Sequence, residues 1–157
     1  LKKEILKAAG FMEDIIRIHC ISLVIDLADE LSMTGFRNEF CQCMINLLNN
    51  ACDSICTLPL DERKIRITGW NEDKGNILHL TIINGGGPLP DSVLQQIATP
   101  YFTTKAEMGG TGLGVYLTKQ MLENHFHGTI TYKNHGSDIV CHLTFLLPSS
   151  ADERKNG

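Results

Sequence analysis

The sequence predicts a two-layer α/β sandwich, with a mixed, mostly antiparallel sheet of about five strands packed on about three helices. Three observations predict it. Strand and helix patterns alternate along the chain without a strict βαβ rhythm. Two strand-like runs at 64–70 and 76–83 flank the turn-forming residues 71–75, which is a hairpin signal. A long apolar stripe of Phe40, Met44, Leu47, Ala51 and Ile55 has the spacing of a helix with one buried face.

The remaining elements follow in order. Residues 1–18 place Ile5, Leu6, Phe11, Met12, Ile15 and Ile16 at helical intervals, so a helix is expected there. Residues 21–27 alternate weakly and read as a strand. Asn38 is the expected cap of the long helix, which runs to about Thr57 before Leu58 and Pro59 stop it. Residues 84–90, with three glycines and two prolines, fit no regular element. A short helix is expected over 91–98. Residues 99–110 have little periodicity and read as a loop, long enough for a functional lid. A helix over 111–125 and strands near 129–133 and 138–147 complete the pattern.

A chain of 157 residues with 43% hydrophobic and 20% charged content suits one globular domain and excludes disordered and fibrous classes. No run approaches the roughly 18–20 apolar residues of a membrane span. The net charge of -4 and pI near 5.8 argue against a nucleic-acid surface, which is usually basic along one face. They leave room for a small phosphate ligand held by backbone N–H groups and a metal. The six cysteines form no CxxC and read as reduced, buried thiols of a cytosolic protein, although Cys52 and Cys56 share a helix face and leave a metal pair open.

Three segments have chemistry to offer. Asn46 and Asn50, in Asn46-Leu47-Leu48-Asn49-Asn50-Ala51, lie four apart on one helix face, with Gln42 a turn before and Asp53 about a turn after. Asparagine is a poor helix former, so the pair needs a reason. Its amide oxygens suit Mg²⁺ as hard neutral ligands, while a solvated polar face remains the alternative. Gly109-Gly110-Thr111-Gly112-Leu113-Gly114 opens a helix, where glycines permit close backbone approach and the helix start offers free N–H donors. It is neither a dinucleotide loop, lacking the preceding strand, nor a Walker loop, since Val115 and Tyr116 follow the last glycine. Asn84-Gly85-Gly86-Gly87-Pro88 follows a strand directly, so that Asn84 can face a flat heterocycle or simply form a tight turn.

Taken in order, with Pro100-Tyr101-Phe102-Thr103-Thr104-Lys105 between the glycine segments, these motifs closely resemble the ATP-binding domain of sensor histidine kinases. These kinases sit in the superfamily of gyrase, heat-shock chaperone and mismatch-repair ATPases, whose fold is the Bergerat type. The resemblance spans roughly residues 20–148. It implies ATP and Mg²⁺ as ligands, with Asn50 on the metal and Asn46 beside the phosphates. Asn84 stands where the family has an Asp that accepts from the adenine amino group, and its amide oxygen takes that role. Gly86 is the first motif glycine, and Pro88 replaces the second. Thr103, Thr104 and Lys105 belong to the lid, where Lys105 either reaches the terminal phosphates or is a solvated loop lysine. Gly110, Thr111, Gly112, Leu113 and Gly114 match the second glycine box around the triphosphate, with Asp53 on the metal-binding helix. Ala98 departs from a commonly aromatic position, and Cys141 stands where a hydroxyl usually helps hold a water against the base.

The resemblance also orders the chain and its chemistry. Residues 1–18 are expected to continue from a histidine-bearing dimerisation hairpin outside this chain, 19–149 to form the catalytic domain, and 150–157 a flexible tail. None of the six histidines has the acidic neighbour of a phospho-acceptor; all read as structural or surface residues. The related hydrolases carry a Glu one turn before the metal-binding Asn, and here that position is Asn46, which accepts no proton at neutral pH. Phosphate transfer to an external histidine and onward to a response regulator is therefore favoured over hydrolysis, with Asn46, Asn50 and Lys105 as the catalytic group. The domain is expected to be cytoplasmic, with no membrane contact of its own. An anti-sigma-factor type serine kinase and a degenerate domain that only binds nucleotide or protein remain as alternatives.

Overall fold

A computed structural model describes residues 1–72, 76–104 and 110–147 of the chain. The turn residues 73–75, Lys105 and the tail 150–157 lie outside the described residues. The elements run α1 (Lys2–Phe11), α2 (Glu13–Ile18), β1 (Ser22–Asp26), α3 (Arg37–Ile55), a 3-10 turn (Leu60–Glu62), β2 (Lys64–Glu72), β3 (Ile77–Asn84), α4 (Asp91–Gln96), α5 (Gly114–Phe126), β4 (Gly128–His135) and β5 (Asp138–Leu146).

The five strands form one sheet in the order β1-β2-β3-β5-β4. Only β1 and β2 are parallel, because α3 crosses between them; every other pair is antiparallel. The expected sheet and its layering are therefore present, while the helical layer is divided more finely, into five α-helices among the described residues.

The strand sequences explain which face is covered. On β3, Leu78, Leu80 and Ile82 alternate with His79 and Thr81. Register pairs Leu80 with Leu143 and Ile82 with Cys141, so one continuous apolar face looks toward the helices. Upon it sit Phe40, Met44, Leu48 and Ile55 of α3 and Leu122 of α5, all buried. Each such side chain contributes about 1.5–3 kcal/mol of transfer free energy. Phe40 meets Phe126 and Phe145 edge-on, with centroids 6.0 and 6.2 Å away, and locks the two helices to the sheet. On the opposite sheet face, Trp70 stacks over His79 and His142, and Glu72 bonds His79 Nε2 at 2.8 Å.

Two boundaries differ from expectation. The long helix begins at Arg37, with Phe36 rather than Asn38 at its cap position and no side-chain capping bond. Tertiary contacts fix that end instead: Phe36 packs against His125, and Glu39 pairs with the same imidazole. The single helix expected over 1–18 is two helices broken at Met12. Ile5, Ala8 and Met12 are buried in the same core as α3, whereas α2 has no buried residue and packs Ile16 against that core.

Candidate active site

A cavity of about 300 Å³ opens between α3, the end of β3, α4 and the start of α5. Motifs that are up to 68 residues apart in sequence, from Asn46 to Gly114, share its lining. Asn46, Asn50 and Asp53 come from α3, Asn84 from the end of β3, and Thr103 and Thr104 from the loop after α4. Gly110, Thr111, Gly112 and Gly114 come from the segment that starts α5.

The α3 stripe is one continuous polar edge. Gln42 Nε2 donates to Asn46 Oδ1 at 3.2 Å, and Asn46 Nδ2 donates to Thr118 Oγ1 at 3.3 Å. Asn46 is thus held at both ends of its amide, bridging α3 to a fully buried hydroxyl of α5. Asn50 is half-buried and its backbone carbonyl accepts from Ser54 Oγ, while its side-chain amide makes no hydrogen bond among the described residues. An unengaged amide oxygen facing a cavity beside the carboxylate-bearing Asp53 is a hard-oxygen donor set.

The glycine turn after β3 is held at several points. Gly86 N–H donates to Asn84 Oδ1 at 3.0 Å, and Gly87 N–H donates to the Ser137 carbonyl at 3.0 Å. Asn134 closes a two-way bond with the backbone of Leu89. Gly86 has to be glycine: a Cβ there would lie 2.6 Å from Ser54 Cβ and 2.9 Å from the Ser54 carbonyl oxygen. Gly86 therefore does not line the cavity but lets α3 close against the turn, which brings Asn84 to the pocket.

At the other end, Gly112 has φ +66, and a Cβ on it would lie 2.5 Å from the Tyr101 carbonyl carbon. This left-handed turn delivers Leu113 to the N-cap of α5, where no side chain caps the helix. The first-turn N–H groups consequently open toward the cavity side lined by Gly114 and Val115. Leu113 itself is not in the lining. Lys105, expected among the phosphate-reaching residues, lies outside the described residues.

Several participants carry no chemical signature in the sequence. Ile82, Val93, Ile97, Ile139 and Tyr132 supply an apolar slot next to Asn84, suited to a flat ring. Such residues look like core until the fold assembles them. Thr118 is four residues after Gly114, one turn along α5, and only the α3–α5 packing reveals its role. Cys141 also lines the slot, and burial pushes its thiol up to about 12, with the Tyr132 hydroxyl beside it pulling the other way. It stays a protonated thiol at neutral pH. Of the Cys52 and Cys56 pair, Cys52 is buried in the core and Cys56 Sγ bonds the Asp53 carbonyl, and no cluster of three or more His, Cys, Asp or Glu ligands occurs among the described residues.

The chain matches known proteins over this whole architecture. The profile of the family described as histidine kinase-, DNA gyrase B- and HSP90-like ATPase matches residues 35–149. The two-component sensor PprA of Pseudomonas aeruginosa is 30% identical over 92% of this chain. Sporulation kinase A of Bacillus subtilis is 36% identical over 68% of it. The chain spans 16% of the length of each. Among solved structures, the nucleotide-free catalytic domain of histidine kinase ThkA superposes with a TM-score of 0.79 at 25% identity, covering 93% of this chain and 91% of that one. With the order of the motifs and the cavity they build, these matches show that the chain belongs to the histidine kinase-, DNA gyrase B- and HSP90-like ATPase family.

Proposed function

We propose that this domain binds Mg·ATP with the purine in the apolar slot and the phosphates against the start of α5, and transfers the γ-phosphoryl group to a histidine outside this chain. The observation that carries the proposal is the cavity itself, which has an apolar slot with one polar residue at one end and an uncapped helix N-terminus at the other. Those two ends suit a heterocycle and a polyphosphate respectively.

Asn50 is the residue to hold the metal, with Asp53 beside it. Bound Mg²⁺ supplies charge neutralisation on the phosphates. The chain's own residues supply position. Asn46 is fixed by Gln42 and Thr118, and its amide, which accepts no proton at neutral pH, offers no base to activate water. A neutral imidazole needs none, since its nitrogen lone pair attacks phosphorus as the bond to the ADP oxygen breaks. Lys105, Thr103 and Thr104 are assigned to the lid over the phosphates, and Gly110 to Gly114 to the backbone around them.

The acceptor histidine belongs to a dimerisation hairpin of the parent protein, to which residues 1–18 connect; 19–149 act as the catalytic unit and 150–157 as a tail. An aspartate of a response regulator is the next acceptor. A further ThkA structure, 22% identical to this chain, holds that kinase in complex with the response regulator protein TrrA. The domain is assigned to the cytoplasm, where ATP is available. No helix among the described residues is long and apolar enough to cross a membrane.

Calorimetric titration with ADP and a non-hydrolysable ATP analogue, with and without Mg²⁺, tests the binding step. Micromolar, Mg²⁺-sensitive affinity is expected, and in Asn50→Ala the Mg²⁺-dependent part is lost while the metal-free affinity is retained. An unchanged Mg²⁺ dependence in Asn50→Ala removes the metal role. Labelled γ-phosphate appearing on a supplied histidine hairpin as an acid-labile adduct supports histidine transfer, whereas an acid-stable adduct indicates a serine kinase.

A further inference from the structure

We infer that Asn84 presents a hydrogen-bond donor to the base, so that this pocket accepts purine nucleotides carrying a 6-oxo group alongside those carrying adenine's 6-amino group. The inference rests on the nucleotide-binding reading above and concerns which purine edge the same site selects. Asn84 is 6% exposed and lines the cavity together with the apolar slot residues. Its single side-chain oxygen accepts the Gly86 N–H at 3.0 Å. The amide cannot turn over, because its NH₂ group would then face that N–H, donor against donor. The Gly86 N–H therefore fixes which way the amide faces, and Nδ2 is left without a hydrogen-bond partner among the described residues. No side-chain nitrogen or oxygen of the described residues is both sealed from solvent and unpaired, so Nδ2 is open to solvent, and the cavity that Asn84 lines is the space beside it.

The consequence follows from donor and acceptor counting. A carboxylate at this position has two oxygens; one can hold the Gly86 N–H while the other accepts from a 6-amino group and repels a 6-oxo group. An amide has one oxygen and one NH₂. A donor facing the purine edge meets the N1 lone pair of adenine or the O6 of hypoxanthine equally well in kind. The discrimination between 6-amino and 6-oxo purines that a carboxylate imposes through repulsion is absent. Inosine nucleotides are the cleanest probe, since hypoxanthine differs from adenine only at this edge.

The experiment is titration of the 157-residue chain with ADP and IDP in the same Mg²⁺ buffer, and then of Asn84→Asp. The wild-type dissociation constants are expected to agree within about threefold, and Asn84→Asp to favour ADP over IDP by about tenfold or more. If the variant does not fold, the wild-type ratio alone decides. Wild-type binding of ADP with IDP weaker by about tenfold or more overturns the donor assignment and leaves the nucleotide site intact. Binding of neither nucleotide overturns the site and the inference together.

Discussion

Thr118 shows how much a single buried hydroxyl carries. It is fully buried in α5, and its Oγ1 accepts from Asn46 Nδ2 across the packed faces of two helices. Replacement by valine keeps the shape and removes the acceptor, leaving the Asn46 N–H unpaired at the edge of the cavity. Thr118→Val is expected to cost about 1 kcal/mol of stability, read from the urea midpoint. It is also expected to weaken nucleotide binding several-fold, because Asn46 is no longer aimed. Thr118→Ser should restore both. A valine variant as stable and as tight as wild type would show that the 3.3 Å contact contributes nothing. Asn84 and Gly86 form a similar pair at the other end of the site, where the identity of one side-chain atom decides what a ligand meets.

At the scale of elements, the join between the loop after α4 and the start of α5 is the tightest place in the site. Gly112 sits at φ +66, with the Tyr101 carbonyl carbon 2.5 Å and the Phe102 carbonyl oxygen 2.7 Å from where a Cβ would be. Both are backbone atoms and cannot give way cheaply. Gly112→Ala is expected to push this loop off α5, lowering stability by about 1–3 kcal/mol through strain, read from the urea midpoint, and abolishing measurable nucleotide binding. Gly114→Ala, where a Cβ meets nothing within 4 Å, is expected to leave stability within about 0.5 kcal/mol of wild type. Equal behaviour of the two variants would remove the packing argument. The contrast was only half legible in the sequence. The glycine run announced a backbone approach, but which glycine is indispensable depends on Tyr101 and Phe102, which the fold brings against it. The same division holds elsewhere. The β2–β3 hairpin and the α3 stripe follow from local periodicity. The cap of α3 at Phe36 instead of Asn38 rests on His125, distant in sequence, so no cap signal could reveal it. The apolar slot was invisible for a related reason, since Val93, Ile97 and Ile139 look like any core residues until α4 and β5 converge.

For the whole molecule, the buried thiols set a limit on the pH range of the fold. Cys43, Cys52 and Cys141 are each at most 4% exposed, and burial pushes their thiols up to about 12, 11 and 12, from an ordinary 9.0. Glu39 near Cys43 and Asp53 near Cys52 add to burial in the same direction. Below pH 9 both folded and unfolded chains hold these protons, and stability is unaffected. Above it the unfolded chain releases them while the folded chain keeps them, so unfolding is increasingly favoured. Each thiol contributes a slope approaching about 1.4 kcal/mol per pH unit once the unfolded form is ionised. Three acting together are a large fraction of the stability of a typical domain, roughly 5–15 kcal/mol. Urea unfolding with reductant present should therefore give the same midpoint at pH 7.5 and 8.5 and a steeply lower one at pH 10. Cys43→Ala is expected to begin less stable at neutral pH but to show a shallower alkaline decline, because one of the three linked protons is gone. A midpoint that is flat through pH 10, or an alanine variant that declines as steeply as wild type, would place the alkaline limit in groups other than the core thiols.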